Sequence, residues 1–292
     1  MKIGWAAIAA TACAFAQVRP ADIVKLPSRP ADARESYGPA PQQFGELRLP
    51  KGAGPHPLAI LIHGGCWAEY ADLTFFSNLA TRLADDGIAT WNVEYRRVHE
   101  PGGGWPGTMQ DAGAGIDYAA ALAKRYPLDM RRVVVAGHSA GGQLALWAAG
   151  RSRIPAASSL YVARPLAVSA AVSIAGPPDM EAMLEHGRKV CGDRHIKLFG
   201  GTPDEVADRY RAGSPHALLP LAAKQYLIYG ARDRAVPRSL FGAYETDARH
   251  GAAKPQVTEI ETAAHFEMFV PASPESEVVR KVILEAVSAG AR

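Results

Sequence analysis

Short, mainly apolar runs alternate along this chain with longer stretches in which apolar residues recur every three or four positions. The runs fall at 58–62, 88–95, 133–136, 172–175, 226–229 and 257–260. A strand reads as a continuous apolar run when both of its faces are buried, as in a parallel sheet covered by helices. Residues 44–50 instead alternate apolar and polar, the pattern of an edge strand. Helical periodicity occupies 72–86, 109–124, 140–151, 238–249 and 275–288. Strands and helices taking turns in this way predict an α/β fold, with a mostly parallel sheet flanked by helices. The alternation lapses between about 180 and 220, where short helical patches and turns predict a small cap inserted over the sheet edge. Residues 17–43, rich in Pro and Ala, read as an extended arm or linker, and 44–292 as a single domain.

Composition narrows the function classes. With 292 residues, 48% of them hydrophobic and 21% charged, the chain has ample material for a packed core. Lys+Arg 32 against Asp+Glu 29 leaves a formal net charge of +3 with the charges dispersed, unlike the clustered basic face of a nucleic-acid binder. Beyond the N-terminus no apolar stretch is long enough to span a bilayer, so no stable membrane insertion of a mature chain is expected. The first sixteen residues read as an export signal. Lys2 precedes an almost wholly apolar segment at 3–15, and Ala14-Phe15-Ala16 forms a small-residue cleavage site. Cleavage after Ala16 would make Gln17 the mature N-terminus and place the protein in the periplasm or outside the cell. Of three cysteines, Cys13 lies in that signal. Cys66 and Cys191 remain, able to pair in an oxidising compartment or to stay as two buried thiols. Neither has a CxxC partner, so no metal site is expected.

The candidate chemistry lies at the carboxyl ends of the predicted strands, where open α/β sheets carry their functional groups. Gly137-His138-Ser139-Ala140-Gly141 follows one strand and opens a helix. G-x-S-x-G in that context places a serine on a turn so tight that only small neighbours fit. His63-Gly64-Gly65-Cys66-Trp67 follows the strand at 58–62. Its glycines let the backbone turn N–H groups into a cavity, so Gly64, Gly65 and Cys66, with Ala140, are the candidate oxyanion donors. A nucleophilic serine needs a base, and the base an orienting carboxylate. Asp233 follows the strand at 226–229 and is the favoured carboxylate; Asp179, in Gly176-Pro-Pro-Asp, is its competitor. Among nine histidines, His265 follows the last strand and gives the chain order Ser, Asp, His. His63 and His138 suit packing roles beside the site, whereas His186, His195 and His216 of the insertion could reach a ligand. Trp67, Tyr70 and Phe266 adjoin these groups and are candidate contacts for an apolar or aromatic part of a substrate. The arginines of the Arg96-Arg97 and Arg151/Arg153 pairs are expected to be solvated, with anion binding by Arg96 or Arg97 a lesser possibility. Pro101-Gly-Gly-Gly-Trp105 lacks the Gly-Lys ending of a phosphate cradle and reads as a tight loop before the helix containing Asp111.

These motifs together resemble the α/β-hydrolases over nearly all of the mature length. His63-Gly-Gly-Cys-Trp67 is similar to the HGGxW signature of kynurenine formamidases and small bacterial carboxylesterases. It differs from the HGGG of the hormone-sensitive-lipase-like branch at Cys66. The resemblance implies a sheet of about eight mostly parallel strands, with Ser139 as nucleophile, His265 as base and Asp233 as its partner, and no cofactor. The expected activity is hydrolysis of small to medium carboxylic esters, small molecules being the only partners implied. The alternative is amide hydrolysis of the arylformamidase or peptidase type on the same triad. A non-catalytic binding protein retaining the fold is the remote alternative.

Overall fold

The computed structural model describes residues 18–251 and 254–290, so the export-signal reading of residues 1–16 falls outside it. The strands are β1 (Ala33–Ser36), β2 (Phe44–Arg48), β3 (His56–Ile62), β4 (Ala89–Val93), β5 (Leu128–His138), β6 (Ala170–Ile174), β7 (Lys224–Gly230) and β8 (Gln256–Ile260). They form one sheet in the order β1-β2-β4-β3-β5-β6-β7-β8. From β4 to β8 all neighbours are parallel, and β1 and β2 add an antiparallel edge. The helices are α1 (Pro20–Ile23), α2 (Ser77–Asp85), α3 (Gly107–Asp117), α4 (Ala119–Leu122), α5 (Ala140–Gly150), α6 (Leu184–Cys191), α7 (Arg194–Phe199), α8 (Ala207–Gly213), α9 (Gly242–Ala248) and α10 (Pro274–Ala289).

The mainly apolar runs have a simple origin. Successive strand residues point to opposite faces, and from β3 to β7 both faces are covered, whereas β8 is a largely exposed edge strand. Along β3, Leu58, Ile60 and Ile62 enter the core beneath α3 and α5, whereas Ala59 and Leu61 enter the one beneath α2 and α10. In β5, Val133 and Val135 face the first core and Val134 and Ala136 the second. The helix after β5 is buried along almost its whole length, including Leu144, Leu146 and Trp147, so it reads as apolar all round rather than amphipathic. A Ser273 cap, its side chain accepting from the Ser276 N–H, and Pro274 at the first turn start α10.

The arm departs from its expected extended form. Residues 33–36 pair with β2 as the sheet's outer edge, and residues 20–23 form a short helix. Ala-Arg-Glu-Ser carries no apolar alternation; the strand is held by its ladder to β2 and by polar side-chain contacts, Glu35 accepting from Arg125 and Tyr126. The insertion at 180–220 folds as the three short helices α6, α7 and α8, between β6 and β7.

The connectivity fixes where a site can form. The chain passes from β3 to β4 on one side and then returns to place β5 on the other side of β3. The loops leaving β3 and β5 therefore diverge from one crevice, the topological switch point at which such sheets bind ligands.

Candidate active site

Ser139 sits between β5 and α5 at φ 53° and ψ −118°, a conformation that costs an L-residue energy and that the surrounding turn must enforce. Close packing does so. A Cβ on Gly137 would lie 2.0 Å from the Gly141 carbonyl oxygen, and one on Gly141 would lie 1.9 Å from that of Ile62. The serine is thus thrust from the turn over the first turn of α5, where Ala140 has no partner four residues back for its N–H.

The loop after β3 is equally constrained. Gly65, Cys66 and Trp67 take consecutive positive φ angles of 99°, 56° and 52°, which turns the chain away from the sheet. A side chain on Gly64 would collide with the His138 carbonyl oxygen at 2.6 Å, so the loop and the serine turn lie against each other. Beneath them, Glu94 is buried and gathers four donors. Its Oε1 receives His63 Nε2 at 3.0 Å, the Tyr95 N–H at 2.9 Å and Arg97 Nη1 at 3.0 Å, and its Oε2 the Leu73 N–H at 3.0 Å. His63 Nδ1 reaches the Gly64 carbonyl at 2.9 Å. This buried network braces the candidate oxyanion loop.

His265 Nδ1 lies 2.6 Å from Asp233 Oδ2. Asp233 is itself 5% exposed, and its Oδ1 accepts the N–H groups of Ala235 and Val236 at 2.8 and 2.9 Å. An ionised carboxylate can only accept, so the proton sits on Nδ1 and Nε2 is left with its lone pair. Asp179 turns elsewhere. Its Oδ2 lies 2.7 Å from His216 Nδ1, and His216 Nε2 lies 2.8 Å from Asp247. That clamp raises His216 to about 9, chiefly through the hydrogen bond to Asp179.

His138, expected to pack, does more. Its ring stacks on Phe75 with centroids 5.0 Å apart, lies 4.5 Å from the His265 ring, and its Nε2 donates to the His265 carbonyl at 3.0 Å. Burial, reinforced by the neighbouring His265, holds His138 well below the usual imidazole range. Sequence gave no sign of this bond, which joins residues 127 positions apart.

Ser139 and His265 open on one cavity of about 370 Å³, also lined by the candidate donors Gly64, Gly65, Cys66 and Ala140. Trp67, Tyr70 and Phe266 line it too, Trp67 buried and Tyr70 largely exposed. Cys66 and Cys191 form a disulfide with Cα atoms 5.5 Å apart, joining the loop after β3 to the end of α6.

The remaining expectations are corrected. His195 is fully buried beside Trp67, Phe199 and Tyr210, and burial pushes it down to about 4. His186 Nε2 points to the Arg234 and Ala235 carbonyls at 3.0 and 3.1 Å. None of the insertion's histidines lines the cavity, because each is held by partners or packing within the fold. Of the basic pairs, only Arg153 is exposed to solvent as expected. Arg96 is bound by Asp111 and Arg97 by Glu100 and Glu94, leaving neither for an anion, and Arg151 is buried on Asp117. Among the described residues no group of three or more His, Cys, Asp or Glu could hold a metal ion, and no helix is long and apolar enough to cross a membrane.

This architecture has known counterparts. The family model described as BD-FAE matches residues 46–240. Esterase LipC of Mycobacterium tuberculosis is 28% identical over 210 residues, an overlap covering 70% of this chain and 51% of LipC. A rice protein described as a probable isoprenylcysteine alpha-carbonyl methylesterase is 24% identical over 249 residues, covering 80% of this chain and 56% of its own. The chain thus spans about half the length of these two curated relatives. Among solved structures, a truncated carbohydrate esterase from gut microbiota superposes with a TM-score of 0.74 at 20% identity, covering 89% of this chain and 99% of that one. Esterase B from Lactobacillus rhamnosis superposes with a TM-score of 0.72 at 22% identity, covering 90% and 88%. At such identities the structural likeness is one of fold. The sheet order, the serine turn between β5 and α5, and a family match across most of the sheet lead to one conclusion: the chain belongs to the BD-FAE family and has the α/β-hydrolase fold.

Proposed function

We propose that this protein is a serine carboxylesterase that cleaves small to medium carboxylic esters through an acyl-enzyme, and that it works after export to the periplasm or the cell exterior. The observation that carries the reading is that His265, 2.6 Å from the buried Asp233, lines the same cavity as Ser139. Ser139 attacks the ester carbonyl while His265 Nε2 takes its proton. Asp233 fixes the imidazole tautomer and stabilises the imidazolium. Backbone N–H groups of the loop at Gly64, Gly65 and Cys66, with that of Ala140, receive the oxyanion of the tetrahedral intermediate. His265 then protonates the departing alcohol, and a water activated by the same ring releases the acid. The related proteins named above are described as esterases, which favours an ester over a formamide substrate. Export is supported by the Cys66–Cys191 disulfide, since such bonds persist in oxidising compartments.

Labelling of the folded protein with a fluorophosphonate, and location of the modified peptide by mass spectrometry, tests the assignment without knowledge of the substrate. Stoichiometric modification of Ser139 is expected. Absence of labelling in folded protein removes the hydrolase reading.

A further inference from the structure

Three of the large apolar side chains exposed on the described surface converge on one place. Val24 of the N-terminal arm (43% exposed), Tyr70 of the loop after β3 (67%) and Val190 of α6 (39%) all line the cavity that holds Ser139 and His265. Exposed apolar residues scattered singly are ordinary, but a cluster around a cavity mouth marks a place where apolar matter docks. Pro20 stands beside Val24 on the same wall.

The arm is anchored in that position from two sides. Ile23, the residue before Val24, is 3% exposed in the core shared with Phe75, Met268 and Phe269. Upstream, the Val18 N–H donates to Glu267 Oε1 at 3.4 Å, while Glu267 Oε2 accepts the N–H groups of Ala264 and Phe266 at 3.1 and 3.3 Å. One carboxylate therefore ties the arm to the two residues that flank His265. The polar lining is sparse. Asp72 is occupied as the acceptor of the Thr74 N–H and hydroxyl, and among the described residues no Lys or Arg side chain lines the cavity. An anionic group entering it would lose hydration without gaining a counter-ion.

Resting on the esterase reading, we infer that the N-terminal arm, through Pro20 and Val24, is a specificity-determining wall of this site, and that the group it receives is an uncharged apolar chain larger than acetyl. The chain could belong to the acid or to the alcohol of the ester, and the test separates the two. Two ester series are compared on purified protein, p-nitrophenyl acyl esters from acetate to octanoate and alkyl acetates of matched lengths. Wild type is set beside Val24→Ser, which removes the apolar contact, and Val24→Trp, which fills the space. Val162→Ser, an exposed apolar position away from the cavity, serves as control.

In one series both Val24 variants lower the kcat/KM ratio of hexyl-length to two-carbon substrate by about five- to tenfold, and Val162→Ser leaves it unchanged. The responding series identifies the side of the ester that meets the arm. Ratios within twofold of wild type in both series, in protein whose Ser139 still reacts with the fluorophosphonate, overturn the role of the arm. If Val24→Trp does not fold, Val24→Ser alone decides. Wild type that neither labels nor hydrolyses any ester overturns the esterase reading itself, a different result.

Discussion

Ser139 is held where an unstrained backbone would not place it, and the cost should be visible when the side chain is removed. Residues forced into sparsely populated φ/ψ regions cost about 1–3 kcal/mol, and glycine is free of most of that. Ser139→Gly is therefore expected to abolish ester turnover while raising unfolding stability by about 1 kcal/mol, measured by chemical denaturation. Ser139→Ala should abolish turnover with an almost unchanged melting temperature. The two carboxylates separate just as cleanly. Asp233→Asn should lower kcat about 10⁴-fold by presenting the wrong imidazole tautomer. Asp179→Asn should retain most activity, because Asp179 faces His216. Steady-state kinetics on the pair checks both, and the reverse pattern would move the orienting acid to the earlier loop. Ser139, Asp233 and His265 were legible because each follows a strand and so falls at the crevice. What Asp179 does was not legible, since its partner His216 lies in another loop and is brought to it only by packing.

At the scale of elements, two ties beside the site have measurable consequences. His216 bridges the loop after β6 to α9 through Asp179 and Asp247. Its folded pKa of about 9 lies above the ordinary 6.5. A raised histidine contributes stability that is fully present below the unfolded pKa and is lost as pH rises through the folded one. Wild type should accordingly lose stability relative to His216→Asn between about pH 6.5 and 9, read from melting curves, and the difference should level off above that window. The second tie is the disulfide, which closes a 125-residue separation between the loop after β3 and α6. Its removal by Cys66→Ser with Cys191→Ser should cost about 2–5 kcal/mol. Because α6 supplies Val190 and Cys191 to the cavity wall, the same variant should also raise KM more than it lowers kcat. The strands of the central sheet were readable from their mainly apolar runs. β1 was not, because Ala-Arg-Glu-Ser has no hydrophobic period and depends on β2 for its hydrogen bonds.

For the whole molecule, burial on both faces of the sheet makes the central strands intolerant of truncation. Leu61→Ala, a fully buried side chain in the core beneath α10, should cost about 2–5 kcal/mol, checked by denaturant titration. The export reading predicts that protein recovered from the periplasm or medium begins at Gln17, which N-terminal sequencing would establish; a chain still beginning at Met1 would count against it. By itself the sequence determined the alternation of strands and helices, the strand ends at which a serine, an aspartate and a histidine must fall, and the two glycine-rich turns beside them. Those are properties of local pattern, since burial period and turn sterics act over a few residues. Only the tertiary structure decided that Cys66 meets Cys191, that His138 holds the carbonyl of His265, and that Val24 of the arm walls the cavity. Each of these joins residues far apart in the chain, and their proximity is set by how the helices cover the sheet, information that no local window of sequence contains.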